Sequence, residues 1–169
     1  MDYVIWFCGE IHRTSIVTRG VHFGNPREIQ DVASVFPQLV IDLLRHGKSV
    51  RFRALGRSMY PTIREGDIIT VAPVAPNLVQ RGDILLYRLE YGVVVHRLAR
   101  IDRNREGIFH YIFRSDTWNE WDAPVLAKQI FGKVISVARS GNSIEVYSRK
   151  MKLRILAHVL GSRLRTLIN

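Results

Sequence analysis

Cysteine, acidic residues and long apolar runs are all scarce in this chain of 169 residues, and each shortage removes a class of protein. Cys8 stands alone, which excludes an internal disulfide and a cysteine-rich metal site. An isolated thiol of that kind is more often a buried, inert group than a reactive one. No stretch offers the roughly 20 mostly apolar residues that crossing a bilayer takes. DYVIWFCGE stops at Gly9-Glu10, and VASVFPQLVIDLLRHG is interrupted by Pro37, Gln38 and Asp42. A basic leader followed by an apolar core and a small-residue cleavage site is also missing. The expectation is a cytoplasmic chain, or one held peripherally at a membrane. Only 15 Asp and Glu face 25 Lys and Arg, a net charge of +10, which favours an anionic contact, either nucleic acid or acidic lipid.

What is present is globular material. Hydrophobic residues make up 47% and charged residues 24%, which argues against wholesale disorder, and the length suits one domain with a real core. Residues 1–25 mix aromatics, His, Thr and Gly without a period and form an unassigned extension. Over 26–47, Val32, Val35, Phe36, Leu39, Val40, Leu43 and Leu44 recur at helical spacing, Gly47 supplies a stop, and Pro37 is expected to divide or kink the helix. Over 48–148 the period drops to two: SVRFRAL, DIITVAPV, DILLYRL, GVVVHRLARI, GIFHYIFRS, QIFGKVISVAR and SIEVYSR alternate with REGD, QRGD, RNREG and RSGN, the pattern of a compact, mainly β domain. Residues 149–169 return to helical spacing. Leu153, Leu156, Leu160, Leu164 and Leu167 form one stripe with Arg and Lys around it, and Gly161 interrupts it. Two readings of this basic amphipathic tail stand side by side: a helix docked on the sheet through its leucines, or one lying on anionic lipid.

GRSMYPTIREGD places Ser58 in a turn set by Gly56, Pro61 and Gly66. Ser is an ordinary turn residue; to act as a nucleophile it needs a base and a group that orients the base. Of six histidines, His46 is a helix-end cation, His110 alternates along a strand, His158 lies in the tail, and His12 and His22 lie in the extension. His96 interrupts the apolar run YGVVVHRLARI and is followed at once by Arg97. In FRSDTWNEWDAPV, Asp116 and Asp122 flank two tryptophans, and either can accept an Nδ1 hydrogen bond from His96, leaving Nε2 to take the Ser58 proton.

Taken in order, GRSMYPTIREGDIITV, RGDILLY, VVVHRLARI, RSDTWNEWDAPV and IFGKVISV resemble the type I signal peptidase family, in the superfamily it shares with the LexA-like self-cleaving repressors. The likeness runs from about Val50 to Ala138. It implies that Ser58, in register with Met59 and Pro61, is the nucleophile. Bacterial membrane enzymes and the repressors use a lysine base, whereas the branch typical of the endoplasmic reticulum and archaea has His-Arg, as at His96-Arg97. The lysines here, Lys48, Lys128, Lys133, Lys150 and Lys152, all lie outside that strand. The aspartates match as well, with Ser115 replacing the usual glycine. The resemblance suits Asp116 to structure around the site and Asp122 to orienting His96, with the opposite division also open. It further implies an oxyanion site at the Ser58 backbone N–H and a substrate bound as an extended strand with small side chains near the scissile bond. Two departures are visible. Gly56 stands where the family commonly has a hydroxyl that assists the oxyanion, and the N-terminal membrane anchor of the family's membrane enzymes is missing.

The resulting expectation is a signal peptidase-like serine endopeptidase with no cofactor and no metal, because no ligand spacing of a known metal site occurs. The competing readings are a LexA-like self-cleaving regulator and a catalytically silent β module that binds a partner. Nucleic acid is disfavoured as a partner because residues 1–49 show no helix-turn-helix pattern.

Overall fold

The computed structural model describes residues 4–6, 26–90, 92–117 and 121–168, with side chains over 35–90, 92–117 and 121–161. Cys8, His12 and His22 lie outside the described residues, and of the extension only a short strand, β1 (Val4–Trp6), is described.

Helix α1 (Pro26–Arg45) buries Phe36, Val40, Ile41 and Leu44, one face at helical spacing. Val35 and Leu39, counted in the apolar stripe from sequence, face solvent, and Ile41 packs in the core instead. The helix closes where Gly47, at φ +73°, lets its N–H reach Leu44 O (3.0 Å) while Lys48 N–H reaches Leu43 O (2.9 Å). The division expected at Pro37 does not occur: α1 continues through it. Burial of four large side chains outweighs the roughly 3 kcal/mol that an interior proline costs.

The strands that follow are β2 (Val50–Arg53), β3 (Ile68–Pro73), β4 (Ile84–Leu89), β5 (Gly92–Arg103), β6 (Phe109–Arg114), β7 (Val125–Leu126), β8 (Ile130–Arg139) and β9 (Asn142–Ser143). They form one sheet in the order β1-β2-β3-β8-β4-β5-β6-β7, with β9 on β8. The β1–β2 pair is parallel and the other pairs are antiparallel. Central β4 is buried on both faces, which is why DILLYRL reads as a nearly unbroken apolar run. Its Ile84 and Leu86 join α1, Phe52, Val71 and Val134 in one apolar cluster. Leu85 and Tyr87 point the other way, into a second cluster with Leu98, Tyr111, Phe113 and Val125. The fold is therefore mainly β with a helix at each end.

SIEVYSR is not the strand its alternation suggests. Only Ser143 belongs to β9; beyond it Val146 turns into the first cluster and the Tyr147 hydroxyl donates to Val134 O at 2.6 Å. Ser148 then caps helix α2 (Arg149–Ile168), its Oγ accepting from Met151 N–H at 3.2 Å. Helix α2 runs unbroken through Gly161. Its docked residues are Met151 and Ile155, both buried, and His158, whose ring meets that of Tyr60 edge-on at 5.0 Å. Leu153, Leu156 and Leu160 face outward, so docking through the leucine stripe is ruled out. The side chains of Leu164 and Leu167 lie outside the described residues. Among the described residues, no helix is long and apolar enough to cross a membrane.

Candidate active site

The turn carrying Ser58 is held from inside and from both flanks. Met59 and Ile63 pack in the first cluster, with Ile63 N–H donating to Met59 O at 2.8 Å, while Ser58 itself stays half-buried at the surface. Gly56 enters the turn at φ +85°, a conformation that side chains rarely adopt. A serine placed at this position without a change of backbone would be strained.

One flank is clamped through Asp116, which is fully buried. Its Oδ1 accepts from Arg97 Nε at 2.9 Å, and its Oδ2 from Arg97 Nη2 at 2.7 Å and Thr62 Oγ1 at 2.5 Å. Arg97 also donates to Gly82 O at 2.8 Å. The backbone completes the clamp, since the N–H groups of Asp116 and Thr117 both donate to Ser58 O, at 3.0 and 3.1 Å. Thr117 Oγ1 donates to Arg57 O and lies 3.1 Å from Tyr60 O. On the other flank Arg139 forks onto Asp67 at 2.9 and 2.7 Å, and Arg64 N–H donates to the same carboxylate. The turn is thus fixed by two buried or half-buried arginine–carboxylate pairs, the geometry in which such pairs are strongest. Sequence reading singled out Arg97 only as the partner of a dipeptide, and Thr62, Thr117, Asp67 and Arg139 not at all; their spacing from Ser58 along the chain carries no local signal.

Asp122 sits elsewhere. Its Oδ2 lies 2.7 Å from His96 Nδ1, with both side chains about nine-tenths buried. An ionised carboxylate can only accept, so Nδ1 carries a proton, and Nε2 is the nitrogen whose lone pair is available when the ring is neutral. Tyr87 adds a contact that no sequence pattern announced. Its hydroxyl donates to the same Asp122 oxygen at 2.5 Å and lies 3.3 Å from His96 Nδ1. The Tyr87 ring is fully buried and stacked on Phe113 at 4.0 Å. Burial pushes the Asp122 carboxyl up, but the hydrogen bond and charge of His96 together with the Tyr87 hydroxyl outweigh it, leaving Asp122 below the ordinary carboxylate value.

The strand register explains the grouping. His96 pairs with Leu85 on β4 and so shares a face with Tyr87, two residues along, while Arg97 pairs with Arg114 on β6, just ahead of Asp116. One dipeptide therefore serves both aspartates, His96 toward Asp122 and Arg97 toward Asp116. Ser58 reaches this end of the sheet through its backbone bonds to residues 116 and 117; its hydroxyl makes no hydrogen bond with His96 in this structure. Catalytic contacts of that kind commonly tighten only when substrate binds. Lys133, on β8, faces Leu85 from the side opposite His96 and is committed to Asp83 at 2.7 Å. Among the described residues, no group of three His, Cys, Asp or Glu is placed to hold a metal ion.

The structure holds an imidazole against a largely buried carboxylate and separately clamps a serine turn through residues 116 and 117; these are residue types used in acyl-transfer chemistry. No curated protein matches the chain. A family model does, in the superfamily to which the order of sequence blocks points. From residue 16 to residue 135, a span of more than half the sequence that contains Ser58, His96, Asp116 and Asp122, the chain matches the Peptidase S24-like family and belongs to it.

Proposed function

We propose that the chain is a serine endopeptidase in which Ser58 is the nucleophile, His96 the base and Asp122 the residue that orients it. The observation that carries this reading is the Asp122–His96 contact at 2.7 Å, which fixes the imidazole with Nε2 as its basic nitrogen. His96 Nε2 takes the Ser58 proton as Oγ attacks a peptide carbonyl. The tetrahedral intermediate collapses with the C–N bond breaking and the proton passing to the leaving amine, and water hydrolyses the remaining ester. The Ser58 backbone N–H is the oxyanion donor, with no hydroxyl at Gly56 to assist it; one lost donor costs on the order of 10²-fold in rate. Asp116 acts on the turn, through Arg97 and Thr62, and does not touch the reacting atoms. The substrate is an extended peptide added as a strand, with small side chains beside the scissile bond.

The test is cleavage of a small-residue, signal-like peptide by the wild type, Ser58→Ala and His96→Ala, followed by mass spectrometry of peptide and protein alike. Cleavage of the peptide by the wild type alone is the expected result. Products derived from the protein's own chain, again lost in Ser58→Ala, would place it with self-cleaving regulators. Intact peptide and intact protein in all three samples would make it a silent binding module.

A further inference from the structure

Helix α2 carries two apolar stripes, and the fold uses only one of them. At 3.6 residues per turn, Met151, Ile155 and His158 lie together on the side packed against the domain, and Leu153, Leu156 and Leu160 lie within about 60° of one another on the opposite side. Those leucines are 66%, 55% and 52% exposed and adjoin one another on the helix, so together they form one exposed apolar patch. Lys152 flanks the outer stripe on one side, Lys150 and Arg154 on the other, and Arg149 lies at its start; all four are exposed. Residues 149–169 contain no Asp or Glu.

We propose that this outer face of α2 binds the surface of an anionic lipid bilayer. Leucines flanked on both sides by long cations match such a surface, because the apolar stripe enters the acyl boundary while the Lys and Arg heads stay at the phosphates. A second copy of the chain is a poor occupant, since pairing two such faces would set the cationic flanks of one against those of the other. The helix is already held by its inner stripe and by the Ser148 cap, so no helix has to form on binding. The His158–Tyr60 contact places α2 beside the residue two positions after Ser58, so the bound bilayer lies about one helix diameter, ~10 Å, from the turn that carries the proposed nucleophile. If the peptidase reading holds, substrates are met at the lipid surface; the binding itself does not depend on that reading.

Vesicle flotation tests the proposal without any turnover. The full chain is mixed with phosphatidylcholine vesicles, with and without phosphatidylglycerol. The wild type should float only with the anionic vesicles and should be released by added salt. Leu153→Glu/Leu156→Glu should bind at least about tenfold more weakly. Both positions face solvent, so circular dichroism should match the wild type. Should that variant misfold, Lys150→Gln/Lys152→Gln/Arg154→Gln, which keeps helix propensity, must show the same loss. Three results would overturn the proposal: a wild type that stays in solution, which would leave an acidic protein as the alternative occupant; undiminished flotation of folded variants; or a wild type that light scattering shows to be a dimer and the glutamate variant a monomer.

Discussion

Asp116 and Asp122 are the same residue type, six positions apart, yet their surroundings assign them different work. Asp116 neutralises Arg97 in a fully buried pair, so Asp116→Asn strands a guanidinium charge and should cost about 3–5 kcal/mol of stability. Asp122→Asn removes one charge-assisted bond to His96 and should cost about 1–3 kcal/mol, but it frees the imidazole to turn or take the wrong tautomer. On the proposed mechanism kcat then falls by roughly 10³-fold or more. Thermal melts and single-turnover assays on both variants separate these effects; equal loss of kcat per folded molecule would remove the distinction. The stability term has a defined sign with pH. The Asp122 carboxyl is lower in the folded protein than in the unfolded chain, so its contribution is present above the unfolded value, about 3.9, and is lost as pH falls through the folded value. The gap between wild-type and Asp122→Asn melting temperatures should therefore hold at neutral pH and close below about pH 4. Tyr87→Phe completes the series. The phenyl ring keeps its stack on Phe113, but the charge-assisted bond from the hydroxyl to Asp122 is lost, so stability should fall by about 1–3 kcal/mol and kcat by about fivefold with KM unchanged.

At the scale of elements, α1 shows packing overriding local preference. Pro37 lies inside the helix, yet Phe36, Val40, Ile41 and Leu44 hold it against the sheet. Pro37→Ala restores a backbone donor and should stabilise the protein by about 1–3 kcal/mol after allowing for the greater freedom of the unfolded chain. Urea denaturation would measure it, and a fall in the midpoint would mean that the core is fitted to the proline. The same competition explains which elements were legible in the sequence. The longer strands were, because period-two runs bounded by Gly-Asp turns depend on neighbours in the chain. SIEVYSR was not, because the burial of Val146 and the bond from Tyr147 to Val134 O are tertiary. The leucine stripe of α2 was seen as a stripe, but sequence cannot say which of two apolar faces meets the domain, and the docked one is the less regular pair Met151 and Ile155. At the site, His96, Asp116 and Asp122 were legible as reactive residue types in unusual company. Tyr87 was hidden inside a strand where an aromatic residue needs no explanation, and the Arg139–Asp67 pair joins positions 72 residues apart.

Across the whole molecule, the sheet couples the two apolar clusters. Strand β4 gives Ile84 and Leu86 to one cluster and Leu85 and Tyr87 to the other, and β5 divides Val93 and Leu98 in the same way. Neither cluster can lose its packing without exposing the back of a strand that the other needs. The Ser58 turn belongs to the first cluster through Met59 and Ile63, whereas Tyr87 belongs to the second, and the Asp116–Arg97 pair ties the turn to β5. The candidate site therefore draws on both halves of the core, and it should be lost with global unfolding and not before. Ile41→Ala, in the first cluster, and Phe113→Ala, in the second, should each lower one shared unfolding transition by about 2–5 kcal/mol. Far-UV circular dichroism and tryptophan fluorescence, the latter including Trp121 beside Asp122, should give coincident curves in both variants. A fluorescence change that precedes the loss of ellipticity in Phe113→Ala alone would show that the His96 side of the site opens by itself, and the sheet would then be a looser coupling than its shared strands imply.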